Sequence, residues 1–123
     1  MSAETLLNKA VEQIIMNVQK YDTHNLFRYP VDKKLALGYY QAIKKPICLE
    51  NMTHKAKRQE YLTLDMFLQD MYQMRLNAEQ YNGVAHEIAE LARTLEQAAH
   101  EECDKEGEIK EQIEAWKEKV GLL

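Results

Sequence analysis

Apolar residues recur at helical spacing from the start of the chain: Leu6, Leu7, Ala10, Val11, Ile14, Ile15 and Val18, with Glu, Lys, Asn and Gln between them. The i, i+3, i+4, i+7 pattern predicts an amphipathic helix over roughly residues 3–20. The turn-prone cluster Asp22-Thr23-His24-Asn25 ends it. From there to about residue 47 the pattern is irregular, with one helical turn predicted from Tyr39 to Lys44 and closed by Pro46. So long a connection is uncommon in a compact domain. This one carries Leu, Phe, Tyr and Val throughout, so it must pack on something rather than float as a linker.

Residues 47–57 read as a short helix with Ile47, Leu49 and Met52 turned inward, followed by the polar connector Lys57-Arg58-Gln59-Glu60-Tyr61. The next helix is the best defined. Thr63 caps it, and Asp65 places a carboxylate in its first turn, where the positive helix end favours one. Leu64, Phe67, Leu68, Met71, Met74, Ala78 and Tyr81 form its stripe, roughly 30 Å long at the helical rise. It stops at Asn82-Gly83. After a short loop, Ile88, Leu91, Ala92, Leu95, Ala98 and Ala99 begin a last helix. No strand alternation occurs, so the pattern predicts an all-α bundle of four principal helices with a long first connection.

With 123 residues, 46% of them hydrophobic and 29% charged, the chain is expected to be one globular domain. Four Gly and two Pro are too few for a sandwich or barrel. The N-terminal residues do not read as a signal peptide, and no apolar run reaches membrane-span length. Two cysteines, Cys48 and Cys103, make no disulfide framework, so a reduced intracellular compartment is the expectation. The net charge of −4 hides an asymmetry: residues 1–62 sum to +4 and residues 63–123 to −8. The acidic half argues against a broad nucleic-acid face and leaves at most a weak contact through the basic half. Acidic helices beside a binding site would attract a Lys/Arg-rich peptide; the alternative is an ordinary solvated surface.

Catalytic chemistry finds no support. His24, His54, His86 and His100 show no metal-binding pairing, no glycine-rich phosphate loop exists, and no nucleophile stands beside a base. Glu87/Glu90 and Glu101-Glu102 read as solvated helix faces. No enzyme, cofactor or metal is expected. Met66, Met71 and Met74 read as core, with Met66 partly exposed. Tyr40, Tyr61 and Tyr72 read as packing residues with wet hydroxyls, and Cys48 as a buried, inert thiol.

One ordered set of residues points further. Phe27-x-x-Pro30-Val31-Asp32, Gly38-Tyr39-Tyr40-x-x-Ile43-Lys44-x-Pro46-Ile47-x-Leu49, Phe67 with Asp70 and Met71, and Asn77-Ala78-x-x-Tyr81-Asn82 together resemble the bromodomain family. The likeness spans roughly residues 4–100. It implies a left-handed four-helix bundle of helices Z, A, B and C, in which a long ZA loop and a short BC loop frame a pocket for acetyl-lysine. Carried over by position, Asn82 is expected to donate its side-chain amide to the acetyl carbonyl. Tyr39 is expected to reach that oxygen through an ordered water, and Tyr81 to line the pocket. Phe27 and Val31 are expected to meet the acetyl methyl, and Ile88 to stand as gatekeeper at the start of helix C. The chain has Asn25-Leu26-Phe27 where many members have Trp-Pro-Phe, so the aromatic shelf is reduced to Leu and Phe.

The chemistry can be argued from the side chains themselves. A lysine ammonium is strongly hydrated, and a closed apolar pocket would cost it several kcal/mol. Acetylation removes the charge and leaves an amide oxygen that needs a donor. A pocket lined by Phe27, Val31, Leu35 or Leu37, and Ile88, with one Asn amide at its mouth, would admit the modified side chain and refuse the charged one. The expected partners are acetylated lysine peptides, histone tails above all, in a nuclear chromatin or transcription protein, with other chromatin-complex subunits as possible neighbours. The competing reading is a helical scaffold or dimerisation module with a vestigial pocket.

Residues 1–105 are expected to form the domain and residues 106–123 a helical extension of it. Ile88, Leu95, Ile109, Trp116 and Leu123 share one seven-residue phase, so the last helix either runs on or restarts after Gly107. Its stripe of Ile109, Ile113, Trp116 and Val120 needs a partner, from the first helix of the same chain, a second copy or another protein. The expected state is a monomer, with a dimer through this helix as the alternative.

Overall fold

The Ser2 hydroxyl accepts a hydrogen bond from the Thr5 amide at 3.1 Å, and this cap starts the first helix, α1 (Ala3–Gln19). A long connection follows, carrying the one-turn helix α2 (Tyr39–Ala42). Then come α3 (Leu49–Lys57), α4 (Leu64–Asn82) and α5 (Glu87–Lys119). The computed structural model describes residues 2–119 and Gly121, with side chains described for residues 2–107 and Gly121. Among the described residues there is no strand, and no helix is long and apolar enough to cross a membrane.

The predicted all-α bundle is the architecture found. Helix α1 packs against α3, α4 and α5, and α4 packs along α5, so α1, α3, α4 and α5 make the four-helix bundle. Val11, Ile14, Ile15 and Val18 of α1 meet Leu49, Met52 and Ala56 of α3, Phe67, Met71 and Met74 of α4, and Ala92, Leu95 and Ala99 of α5 in one core. Leu6, on the predicted stripe, is instead 57% exposed.

Two polar groups lie where the hydrophobic pattern alone does not put them. Asn8, a polar residue between the apolar positions of α1, is 2% exposed. Its Nδ2 donates to the carbonyls of Glu4 and Tyr61, and its Oδ1 accepts from the Tyr61 amide at 3.2 Å. Asn8 therefore acts as a short strut that satisfies the backbone of the α3–α4 connection inside the core. Tyr61 is fully buried, and its hydroxyl, expected to be wet, donates to Asp70 at 2.6 Å. The Lys55 ammonium donates to that same Asp70 oxygen, also at 2.6 Å. Burial and this carboxylate together push the Tyr61 phenol far above its ordinary range.

The boundaries of the short helices differ slightly from expectation. Ile47 precedes α3 rather than belonging to it and is half-buried. Helix α5 runs unbroken through Gly107, which settles the open choice between continuation and restart. The side chains of Ile109, Ile113, Trp116, Val120 and Leu123 lie outside the described residues, as does any packing of their stripe. Between α4 and α5, Arg75 bonds Glu79 at 3.0 Å and Glu96 at 2.9 Å, and Arg93 reaches the second Glu79 oxygen at 2.9 Å.

Candidate functional site

The irregular connection between α1 and α3 is held at each end by side chains that bond its backbone. At its start the buried Asp22 carboxylate accepts from the amides of Leu26 at 2.8 Å and Phe27 at 2.7 Å, folding the chain back so that Phe27 enters the core. In its middle the Tyr40 hydroxyl donates to the Val31 carbonyl at 2.6 Å. Gly38, at φ +75, supplies the left-handed turn into α2. Three side chains of α4 then reach across. Asn77 donates to the Lys45 carbonyl at 2.8 Å, Gln80 to the Ala42 carbonyl at 2.9 Å, and the Tyr81 hydroxyl to the Leu37 carbonyl at 2.8 Å. A loop of this length keeps one shape because its carbonyls are bonded to a rigid helix.

Between this loop and the end of α4 lies a cleft of about 340 Å³. Phe27, Val31, Tyr39, Tyr81, Asn82 and Ile88 all line it. Six of the eight expected site residues are thus brought together around one space. Leu35 also borders it but is 86% exposed, so it stands at the rim rather than in the wall. Leu37 lies outside. Its side chain is 80% exposed, and what it contributes is the backbone carbonyl held by Tyr81. The turn that aims this carbonyl at α4 directs the side chain into solvent.

Asn82 is the last residue of α4, and Gly83, at φ +96, turns the chain away immediately after it. The Asn82 Nδ2 donates to the Ala78 carbonyl one turn back at 3.1 Å, which fixes the side-chain rotamer. A primary amide has two N–H groups, so this bond leaves one donor for a ligand. Tyr39 is 7% exposed, its ring edge-on to Tyr81 with centroids 5.0 Å apart. Among the described residues its hydroxyl has no protein partner. Burial first, then neighbouring Tyr40 and Cys48, push its phenol upward, so it stays protonated and can donate.

Met74, Ala78, Ile47 and Cys48 also line the cleft, and the exposed Asp32 borders it. Burial also pushes the Cys48 thiol up, against the pull of backbone hydrogen bonds from Asn51 and Glu50. Across the mouth, the His86 Nδ1 accepts from the Ile88 amide at 3.0 Å, capping α5 and setting the position of Ile88. No three His, Cys, Asp or Glu side chains among the described residues cluster as a metal site.

Sequence reasoning named the walls of the site better than its supports. Asn77 and Gln80 were not singled out as donors, nor Asp22 as a loop cap. A signal for Asn77 was present: it falls three residues after Met74 and four before Tyr81, a polar residue on the buried stripe of α4. Asp22 lies two residues past Lys20, which caps α1, and nothing local in its sequence separates a buried loop cap from an ordinary turn residue.

Comparison with known proteins agrees with this geometry. The bromodomain family profile matches residues 6–94. A nucleosome-remodeling factor subunit NURF301-like protein of Caenorhabditis elegans is 39% identical over 71 residues, which is 58% of this chain and 3% of that protein. The histone acetyltransferase GCN5 of Oryza sativa subsp. japonica is 34% identical over 78 residues, 63% of this chain and 15% of that protein. Bromodomain-containing protein 9 of Xenopus laevis is 31% identical over 91 residues, 74% of this chain and 17% of that protein. The chain thus spans a small part of these relatives. Among solved structures, the bromodomain of human BAZ1A superposes with a TM-score of 0.72 at 30% identity, covering 80% of this chain and 92% of that one. Helices α1, α3, α4 and α5 are therefore Z, A, B and C of the family's bundle, and this chain belongs to the bromodomain family, a family of binding modules rather than catalysts.

Proposed function

We propose that the chain reads acetyl-lysine, with acetylated histone tails as its ligands, as the recognition module of a nuclear chromatin or transcription protein. The observation that carries this reading is Asn82: an amide with one N–H spent on Ala78 and one free, at the edge of a cleft walled by Phe27, Val31, Tyr39, Tyr81 and Ile88. An acetyl-lysine side chain laid into the cleft gives its carbonyl the free Asn82 donor, with the Tyr39 hydroxyl reaching the same oxygen through a water. Phe27, Val31 and Ile88 cover its methyl and methylenes. An unmodified lysine would lose its hydration at a cost of several kcal/mol; among the described residues the one carboxylate bordering the cleft, Asp32, is exposed and already accepts from the Lys34 amide. One net hydrogen bond of about 1 kcal/mol and a small buried acyl group support an affinity on the order of micromolar or weaker. Neighbouring domains or adjacent marks would add avidity. The chromatin-associated relatives support the nuclear setting and the histone ligand.

Calorimetric titration with acetylated and unacetylated histone-tail peptides tests the reading. The acetylated peptides bind and the unacetylated ones do not; Asn82→Ala, with helicity checked by circular dichroism, weakens binding at least about tenfold. Equal binding by parent and variant would overturn the proposal. A second reading, a dimerisation module, draws on the length of α5, whose 33 residues exceed the 19 of α4. Light scattering over a concentration series tests that role, and a monomer throughout removes it.

A further inference from the structure

A second groove, of about 240 Å³, lies beside the cleft, bordered by Tyr39 and walled by Pro30, Val31, Tyr40, Pro46, Ile47 and Asn51. Pro30, Val31, Tyr39 and Ile47 border both this groove and the cleft of the proposed acetyl-lysine site, so the two spaces are neighbours that share a wall. The chain segment that supplies its walls is basic, although Lys55 and Arg58 within it are paired with Asp70 and Glu60. Residues 28–58 hold eight Lys/Arg against only Asp32 and Glu50. The Lys33 ammonium lies 5.5 Å from the Tyr40 ring centroid, and Lys44 and Lys45 immediately precede Pro46. Lys33, Lys34, Lys44 and Lys45 are all exposed, and among the described residues none of them joins an ion pair. Asn51 has committed its Oδ1 to the Cys48 amide and thiol, which leaves its Nδ2 as a donor.

We propose that this groove docks an acidic peptide segment of a partner protein, anchored by one aliphatic side chain between Tyr40, Pro46 and Ile47. The argument rests on charge and shape together. Exposed lysines on the segment that walls an apolar slot, Lys33 against Tyr40 itself, favour carboxylates flanking an apolar anchor and oppose a basic segment by like-charge repulsion. The Asn51 amide suits a peptide carbonyl. Nucleic acid would satisfy the lysines but not the slot, and the −8 carried by residues 63–123 disfavours a long phosphate backbone. The groove shares a wall with the cleft, but its docking requires no modified lysine and so does not depend on the acetyl-lysine reading.

The test is an NMR titration of the isotope-labelled full chain with a short unacetylated peptide of Glu and Ser bearing one central Leu. Amide shifts at Lys33, Tyr40, Ile47 and Asn51 are expected, with binding that weakens as salt is raised. Lys33→Glu combined with Lys44→Glu is expected to weaken it about tenfold while leaving acetylated-peptide binding in place. Replacing the central Leu by Ser should abolish the groove shifts. The proposal is overturned if the peptide leaves these amides unmoved, or if a Lys/Ser peptide binds equally. It is also overturned if duplex DNA binds the same amides more tightly than the peptide, or if the shifts arise with protein concentration alone, which would assign the groove to a second copy.

Discussion

The Tyr81 hydroxyl donates to the Leu37 carbonyl across the mouth of the cleft, at 2.8 Å. This single bond joins the end of α4, where Asn82 sits, to the turn that leads through Gly38 into Tyr39. The distance between the two proposed polar anchors is thereby set by a backbone contact and by the edge-on packing of the Tyr39 and Tyr81 rings. Tyr81→Phe keeps the ring and removes the bond. The Leu37 carbonyl is solvent-accessible, so global stability should fall by no more than about 1 kcal/mol. Acetyl-peptide affinity should fall several-fold, and hydrogen exchange should quicken between residues 35 and 42 with α1 unaffected. Unchanged affinity would mean that Asn77 and Gln80 suffice to hold the loop.

Asp22 governs the other end of the connection. Its carboxylate receives two amides and is 2% exposed. Asp22→Ala orphans both N–H groups, and hydrogen bonds to a charged acceptor are the stronger kind, so a loss of about 2–3 kcal/mol is expected. The urea midpoint measures it. Asp22→Asn retains one acceptor and should lose less. Because Phe27 is placed by this turn, acetyl-peptide affinity should fall with stability in the alanine variant.

How much of this was legible beforehand follows from which interactions leave a local signature. Periodicity located α1, α4 and the start of α5, since each buries a stripe spaced at the helical repeat. Cleft residues such as Phe27, Val31, Tyr39 and Asn82 were legible because an ordered motif carries them. Of the alternatives Leu35 and Leu37, Leu35 borders the cleft at its rim and Leu37 lies outside, because apolar character predicts burial only when the backbone turns the side chain inward. The buried pairings of Asn8 and of the Tyr61 hydroxyl were missed for a different reason. Asn8 pairs with the Tyr61 backbone 53 positions away, and the Tyr61 hydroxyl reaches Asp70 in the next helix, and no helical periodicity records either pairing.

Asn8 gives the sharpest stability prediction. Asn8→Ala leaves the Tyr61 amide and carbonyl without their partners inside the core, and Asn8→Leu fills the volume but leaves them equally orphaned. Each variant should lose about 2–4 kcal/mol in chemical denaturation. Leucine rescuing the loss would show that volume, not pairing, sets the cost.

The charged lattice between α4 and α5 makes the fold respond to acid in a definite direction. Hydrogen bonds from Arg75 and Arg93 hold the Glu79 carboxyl below its usual range. A carboxyl lowered on folding contributes stability above its unfolded pKa and loses that contribution as pH falls through the lower, folded value. Parent protein should therefore lose stability on acidification through the carboxylate range. Glu79→Gln should be less stable than the parent at neutral pH and show a shallower acid dependence, the two curves converging once the carboxyl is protonated. Glu79 lies one turn before Gly83 and shares α4 with Asn82, so its loss should also loosen the α4–α5 junction beside the cleft. Raising salt should narrow the neutral-pH difference, because Arg93 is 40% exposed and its pairing is screened. Melting temperatures of both proteins across pH, at low and high salt, measure all of this, and parallel curves would remove Glu79 from the acid response.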